Sequence, residues 1–194
     1  MQEQIRKQLE ESAGVLGAMR ADQRLIAILE TVAQACVRTL SAGGKLLFMG
    51  NGGSAADCQH LAGEFVSRFA YDRPGLPAFA LTTDTSVMTA IGNDYGYERL
   101  FSRQVEAVGR AGDVLFGFST SGKSPNILRA FEAARARGLV CVGMTGNRRA
   151  EMLSLVDHAI EIPSAATPKI QEGHIIAGHI LCGLVEDAMF AGRR

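Results

Sequence analysis

The sequence has little of what marks a nucleic-acid-binding, membrane or secreted protein. Its 20 basic and 20 acidic side chains leave no net charge, and no basic stripe with interleaved aromatic residues occurs, so we expect no nucleic acid partner. No apolar run approaches membrane-spanning length, and the amino terminus, Met1–Arg6, is polar and lacks the apolar core of a signal peptide. We therefore expect a cytoplasmic protein with no membrane partner.

Cysteine and proline are also scarce. The four cysteines lie far apart without a Cys-x-x-Cys spacing, which argues against a thiolate zinc site and against a disulfide framework. We expect buried or reduced thiols at Cys36, Cys58, Cys141 and Cys182. Only five prolines occur in 194 residues that are 47% hydrophobic, and no linker is evident. One domain over residues 1–194 is therefore predicted.

Five short apolar runs are typical of buried strands: Lys45–Gly50, Ala78–Thr82, Val114–Ser119, Leu139–Thr145 and His158–Ile162. Segments with helical periodicity lie between most of them. This alternation predicts an α/β fold with a parallel sheet covered by helices on both faces.

The chain has more helix than such a sheet needs. Residues 1–42 form a helical segment before the α/β core of residues 43–194, and its first helix has no obvious sheet to cover. A long apolar helix is predicted from about Pro168 to Phe190. These surplus helices favour an oligomer with a helical interface.

Two loops have the layout of backbone anion cradles. The first, Gly50–Ser54, joins the first strand to a helix expected over Ala55–Arg68, with Ser54 at the helix N-cap. Glycines there let a ligand approach the main chain, and helix N-termini favour phosphate. A tight strand-to-helix turn with no ligand is the alternative interpretation.

The second cradle, Ser119–Ser124, places four hydroxyl residues around Gly122 after the third strand, and Pro125 then fits the first turn of a helix to about Arg137. Its spacing is neither that of a Walker loop nor that of a dinucleotide fingerprint. We therefore predict that it binds a sugar phosphate rather than a nucleotide.

Polar residues on the helix after the first cradle and on the last helix are further candidates for a functional site. His60 and Glu64 share one helix face and could bind one ligand or metal, or form a surface contact. Gln171 and His179 lie within a quadrant of one face of the last helix but about 12 Å apart along it. We expect structural roles for His174 and His158, and solvated positions, with anion steering as the alternative, for Lys123 and Lys169.

The motifs together resemble the sugar isomerase (SIS) domain family over nearly the whole chain. They are Gly50–Ser54, Asp57, Gln59, His60, Glu64, Arg68, Thr83, Asp84, Gly92–Gly96, Phe101–Gln104, Val108, Gly109, Gly112, Asp113, Ser119–Ser124, Ile170–Glu172 and His179. The serine-rich loop marks the wider family. The set His60, Glu64, Gln171 and His179 resembles the residues that mark the branch that isomerises phosphorylated heptoses.

The resemblance implies a doubly wound, flavodoxin-like five-stranded parallel sheet in a homotetramer with active sites at subunit interfaces. It implies Glu64 and His179 as the acid/base pair, and one zinc ion per subunit on His60, Glu64, Gln171 and His179. The implied substrate-binding residues are Asn51, Gly52, Gly53, Ser54, Glu64, Asn93, Asp94, Ser119, Thr120, Ser121, Ser124 and Gln171.

The implied reaction converts D-sedoheptulose 7-phosphate to D-glycero-D-manno-heptose 7-phosphate through an enediol, as the first step of nucleotide-heptose biosynthesis. The alternative is a non-catalytic tetramer of the same fold that binds the replication initiator DnaA. A pure binding scaffold has no need to keep the set His60, Glu64, Gln171 and His179 together, which favours the enzyme. A sugar-phosphate-sensing regulator would need a DNA-binding module for which one domain leaves no room.

Overall fold

The computed structural model, which describes residues 1–148 and 150–193, has one five-stranded sheet within those residues. Its strands are β1 (Leu46–Gly50), β2 (Ala78–Ala80), β3 (Val114–Phe118), β4 (Val140–Gly146) and β5 (His158–Ile162). They pair in parallel in the spatial order β2-β1-β3-β4-β5. The predicted doubly wound parallel sheet is confirmed, and the strand order reverses beside β1, where ligands bind in such folds.

The described residues form seven α-helices: α1 (Gln2–Ala21), α2 (Gln23–Ser41), α3 (Gly53–Val66), α4 (Thr85–Tyr95), α5 (Ser102–Val108), α6 (Pro125–Ala136) and α7 (Thr167–Phe190). Short 3₁₀ segments lie at Tyr97–Arg99, Glu151–Ser154 and Ala191–Arg193. In the part of the chain that is described, no helix combines the length and the apolarity that a membrane crossing requires.

Alternate residues of each strand enter opposite hydrophobic cores. Leu46 and Phe48 face a core shared with α2, α3 and α7, whereas Leu47 and Met49 face one shared with α4, α5 and α6. Since side chains alternate across a strand, both faces of a fully apolar strand are buried only in a three-layer arrangement. The sheet is therefore covered on both sides, as predicted.

Helix α1 covers no sheet, as the sequence indicated. Its main contacts are to α7 and α2, and Met19 is its one fully buried residue. The contact to α7 corrects the expectation for Lys169, which is 7% exposed and not solvated. Its Nζ donates to Ser12 Oγ at 2.6 Å, to the Gln8 carbonyl and to Glu172. The buried ammonium therefore ties α1 to the first turn of α7.

The four cysteines are all free and buried, as predicted. Burial raises the pKa of the Cys36 and Cys141 thiols to about 12 each. Because the thiolate is the reactive form, these side chains are chemically inert members of the core.

Candidate active site

The first cradle begins where β1 ends at Gly50. Gly52 adopts φ +58°, a conformation that disfavours side chains, and serves as the N-cap of α3. The helix therefore starts at Gly53, two residues earlier than predicted, so the assignment of Ser54 to the N-cap is wrong. Ser54 lies in the first turn, only 3% exposed, with its N–H on the Asn51 carbonyl at 3.1 Å.

The second cradle follows β3 and brings three hydroxyls together. Ser119 Oγ lies 3.0 Å from Ser124 Oγ and 3.5 Å from Ser121 Oγ. Gly122 has φ +63°, and a Cβ on it would lie 2.1 Å from the Ala150 Cβ, so only glycine fits this turn. Ser124 occupies the N-cap position of α6, which begins at Pro125 as predicted, and its hydroxyl faces Ser119 rather than the first turn of the helix. The serine cluster therefore sits at a helix N-terminus, where negative charge is favoured.

The two cradles are neighbours. β1 and β3 pair in parallel up to Gly50 and Phe118, so both loops leave the carboxyl edge of the sheet side by side. Thr120, between the two cradle serines Ser119 and Ser121, is half-buried. An anionic ligand at this edge therefore meets both loops.

Three side chains with atoms that bind metal ions lie together on two helices: His60 and Glu64 on α3, and His179 on α7. We call them the donor cluster. His60 Nε2 is 2.9 Å from His179 Nε2 and 3.2 Å from Glu64 Oε1, and all three donors lie within 4.8 Å of one another. At that distance one imidazole donates its N–H to the lone pair of the other. The Phe69 ring, 5.7 Å from that of His179, flanks the cluster. Two imidazoles and a carboxylate are a typical zinc donor set.

Gln171, the fourth predicted metal ligand, lies at the first cradle in this chain. A Cβ built on Gly53 would lie 2.6 Å from Gln171 Nε2. Gly53 precedes His60 by seven residues, which is about 10 Å of helix rise. The single chain therefore brings Gln171 to the first cradle, and its role as a metal ligand stays a prediction.

A buried ion pair holds the end of α3 that carries Glu64. Arg73 and Glu186 are each 2% exposed in their side chains and are joined at 2.9 Å. Glu186 also accepts the N–H groups of Phe69 and Ala70, while Arg73 donates to the Glu64 carbonyl at 2.8 Å. The charges thus pair with each other and with main-chain groups, and they fix the chain just beyond the donor cluster.

Asp57 lies one helical turn before His60 and received no role from the sequence beyond its place in the motif. Burial raises the pKa of its carboxyl group, and the nearby His60 opposes that effect. Its Oδ2 is buried without a hydrogen-bond partner among the described residues. The i, i+3 spacing to His60 was the signal that could have placed it beside the cluster.

The remaining predicted residues lie on the surface. Asn93 and Asp94 are exposed at the end of α4, where Asn93 Nδ2 donates to Asp94 Oδ1 at 2.8 Å. Tyr97, shortly after them, donates its hydroxyl to Asn51 Oδ1 at 2.8 Å and so joins this segment to the first cradle. Lys123 is exposed, as expected.

His174 is fully buried behind the serine loop. Its Nε2 lies 3.3 Å from the Thr145 carbonyl oxygen, and its ring meets the Phe118 ring edge-on. Desolvation lowers its pKa from 6.5 to about 4, against the opposing effect of the Thr145 carbonyl. The imidazole is therefore neutral at physiological pH and serves a structural role, as the sequence predicted.

The doubly wound sheet, the paired cradles at its carboxyl edge and the serine-rich loop define a sugar isomerase domain, and residues 10–146 match the family model for the SIS domain. The donor cluster on α3 and α7 narrows the class of protein to one branch of this domain family. The chain belongs to the phosphoheptose isomerase family.

Sequence and structure comparisons agree on this family. The chain is 65% identical over 186 residues to the phosphoheptose isomerase of Burkholderia pseudomallei, covering 96% of this chain and 94% of that one. It is 52% identical over 193 residues to that of Aneurinibacillus thermoaerophilus, covering 100% and 98%. The structure of the enzyme from Neisseria gonorrhoeae superposes with a TM-score of 0.90 at 39% identity, covering 96% and 98%.

Proposed function

We propose that this chain interconverts D-sedoheptulose 7-phosphate and D-glycero-D-manno-heptose 7-phosphate, an aldose–ketose isomerisation. One observation carries the proposal: a single chain holds a hydroxyl-lined phosphate cradle and a separate cluster of His60, Glu64 and His179. The first suits the phosphate of a sugar phosphate, and the second supplies the groups that proton transfer at the other end requires. The family relationship agrees with this division.

The serine loop binds the phosphate. Ser119, Ser121 and Ser124 present converging hydroxyls, and the N-terminus of α6 adds its positive dipole end to them. Thr120 completes the predicted set. Binding energy from this non-reacting end positions the sugar for the chemical step.

The sugar end extends over the first cradle. Gly52 and Gly53 allow the substrate to approach the main chain, Gln171 lies against Gly53, and Ser54 sits in the same turn. Asn93 and Asp94 are joined to this cradle through Tyr97 and complete the predicted contacts.

The donor cluster fits a divalent metal ion. One nitrogen of each imidazole and one oxygen of the Glu64 carboxylate lie within 4.8 Å of one another, and once the shared imidazole proton is released such nitrogen and oxygen ligands suit zinc. We propose one zinc ion per subunit, held by His60, Glu64 and His179, with Gln171 as the predicted fourth ligand. When bound, zinc polarises a carbonyl oxygen as a Lewis acid.

Glu64 and His179 carry the proton transfers. Isomerisation moves one proton between C1 and C2 and another between their oxygens, so it needs a base near carbon and an acid near oxygen. Glu64 takes the proton from carbon and returns it to the neighbouring carbon of the enediol. His179 exchanges the proton at oxygen. The ion pair of Arg73 and Glu186 holds the chain end beside Glu64 in place.

The assembly is a homotetramer in this proposal, with residues 1–194 as one SIS domain and active sites at subunit interfaces. Helix α1 exposes Ile5, Leu9 and Leu16, and α7 exposes Ile180 and Leu184. Exposed apolar side chains on long helices favour burial against another subunit. The free, buried thiols suit the reducing cytoplasm. Sedimentation equilibrium tests the subunit number.

The direct test follows conversion of sedoheptulose 7-phosphate by NMR, before and after chelation and after zinc is added back. Formation of the aldoheptose phosphate that is lost on chelation and restored by zinc supports the reaction and the metal site together. No conversion in the presence of zinc contradicts the proposal and favours the DnaA-binding scaffold instead. Binding of purified DnaA to the tetramer then tests that second candidate.

A Glu64→Gln variant tests the base. It removes the carboxylate while preserving size, and we expect kcat to fall by about 10²- to 10⁴-fold, the usual contribution of a general base. Glu132→Gln, an exposed change on α6, is the matched control and should retain activity. Turnover by Glu64→Gln near the wild-type rate would exclude Glu64 as the base.

A further inference from the structure

Asn51 and Asn126 form a reciprocal amide pair that bridges the two cradles. Asn51 Nδ2 donates to Asn126 Oδ1, and Asn126 Nδ2 donates to Asn51 Oδ1, both at 2.9 Å. Tyr97 donates its hydroxyl to the same Asn51 Oδ1 at 2.8 Å. Asn126 is only 2% exposed. Three hydrogen bonds of good length therefore converge on one side chain of the first cradle.

The amide pair lies between the two cradle loops, where they leave the carboxyl edge of the sheet. Asn51 follows the last residue of β1, and Asn126 is the second residue of α6, directly after the cradle residue Ser124 and Pro125. Since β1 and β3 are paired neighbours, the amide pair spans the gap between the two loops just beyond the sheet edge. The pair therefore links the two cradles directly.

The pair also limits what Asn51 offers a ligand. An amide oxygen has two lone pairs and an amide nitrogen has two N–H groups. Asn126 and Tyr97 use both lone pairs of Asn51 Oδ1, and Asn126 uses one of the two N–H groups. The Asn51 side chain is therefore left with one donor and no acceptor for a substrate.

We propose that Asn126 and Tyr97 are positioning residues, which fix Asn51 and thereby set the spacing between the phosphate cradle and the sugar cradle. The inference rests on the proposed function, because it takes both loops to contact one sugar phosphate. Neither residue needs to touch the reacting atoms. Their loss weakens substrate binding more than it slows the chemical step.

Tyr97→Phe gives the mildest test because Tyr97 is 59% exposed, so the variant does not endanger the core. We expect KM for sedoheptulose 7-phosphate to rise by up to about tenfold, the effect of one lost hydrogen bond, with kcat nearly unchanged. Tyr95→Phe is the control, since the Tyr95 ring stacks on Arg103 at 4.0 Å. An unchanged KM in Tyr97→Phe overturns the role of Tyr97.

Asn126→Asp tests the pair itself. It preserves shape but turns a carboxylate oxygen toward Asn51 Oδ1, so attraction becomes repulsion at 2.9 Å. We expect a larger rise in KM than for Tyr97→Phe. A fall in kcat with unchanged KM contradicts a positioning role.

A double-mutant cycle separates positioning from direct contact. If Asn51 acts through the pair, Asn51→Ala and Asn126→Ala together should lower kcat/KM to within about threefold of the worse single variant. Multiplicative effects would show that Asn51 acts on the substrate independently, and would overturn the proposal.

Calorimetric titration with sedoheptulose 7-phosphate and, separately, with inorganic phosphate distinguishes this inference from the proposed function. If the pair sets the spacing between the cradles, Asn126→Ala should bind the sugar phosphate more weakly than wild type does, whereas inorganic phosphate, which needs only the serine loop, should bind both proteins alike; this holds even if the wild type fails to isomerise the sugar phosphate. Equal affinity of both proteins for sedoheptulose 7-phosphate, with both folded by circular dichroism, overturns it.

Discussion

Protonation of His174 should destabilise the fold, and the size of the effect follows from its surroundings. The ring is 0% exposed and packs between α7 and the strand ends at Thr145 and Phe118. Its Nδ1 has no partner among the described residues. A charged imidazole there would lose its hydration without gaining a counter-charge.

The sign and magnitude come from proton linkage. The pKa falls from 6.5 to about 4 in the folded chain, so between those pH values the unfolded chain binds the proton and the folded chain does not. Stability is therefore lost as the pH falls from about 6.5 towards 4, and this contribution levels off below that. The full effect is roughly 3 kcal/mol, and about 2 kcal/mol has been lost by about pH 5.

His174→Gln is the informative variant, because glutamine cannot titrate in this range yet retains an N–H for the Thr145 carbonyl. Urea unfolding of both proteins at a series of pH values, with chelator and equal protein concentration, gives the difference in free energy of unfolding. We expect the variant to be less stable at neutral pH, with the gap closing as the solution is acidified. His158→Gln, at a half-buried position of β5, is the control.

Parallel stability curves for wild type and His174→Gln from about pH 7 to pH 5 would refute the reasoning. They would show that the folded chain accepts the proton on His174 as readily as the unfolded chain does. Water would then have to reach the ring in the native protein.

Three further outcomes are expected. Gly122→Ala places a Cβ 2.1 Å from that of Ala150 at φ +63°, so inorganic phosphate should bind at least about tenfold more weakly in calorimetry. Glu186→Ala leaves the buried Arg73 without its counter-charge, which should lower the free energy of unfolding by about 3–5 kcal/mol in urea titrations. Zinc at about 100 times its Kd should stabilise wild type by about 2.7 kcal/mol in thermal unfolding, and this gain should vanish in His60→Asn.

The layered fold was predictable because it depends on local signals. Apolar runs of strand length, separated by helical periods, placed β5 at its observed bounds and three other strands within a residue at each end. The strand predicted over Ala78–Thr82 ends at Ala80 instead. There the chain turns into α4, whose N-cap Asp84 accepts the Val87 N–H at 2.9 Å. Leu81 and Thr82 are buried although they lie beyond the strand, so the hydrophobic pattern does not show where the strand ends.

Contacts between residues far apart in the sequence were harder to predict. Lys169 has the sequence context of a surface lysine, but its partners Gln8 and Ser12 come from a helix that begins the chain. Asn51 and Asn126 are 75 residues apart, and an asparagine after a strand predicts a turn rather than a bridge. Such polar pairs depend on where two elements meet, and periodicity within one element carries no information on that.

The candidate metal centre depends both on a pattern within one helix, which the sequence shows, and on a contact between two helices, which it does not show. The spacing of His60 and Glu64 places them on one face of α3, which sequence alone could establish. Their meeting with His179 depends on the contact between α3 and α7 at Gly178, where a Cβ would lie 2.6 Å from the Leu61 side chain, so a larger residue would have to push Leu61 aside. The helices run parallel, with Gln171 beside Gly53 and His179 beside His60. The eight-residue spacing on α7 is thus matched by seven residues on α3, and one helix pair carries a polar group to the first cradle and, about two turns later, an imidazole to the donor cluster.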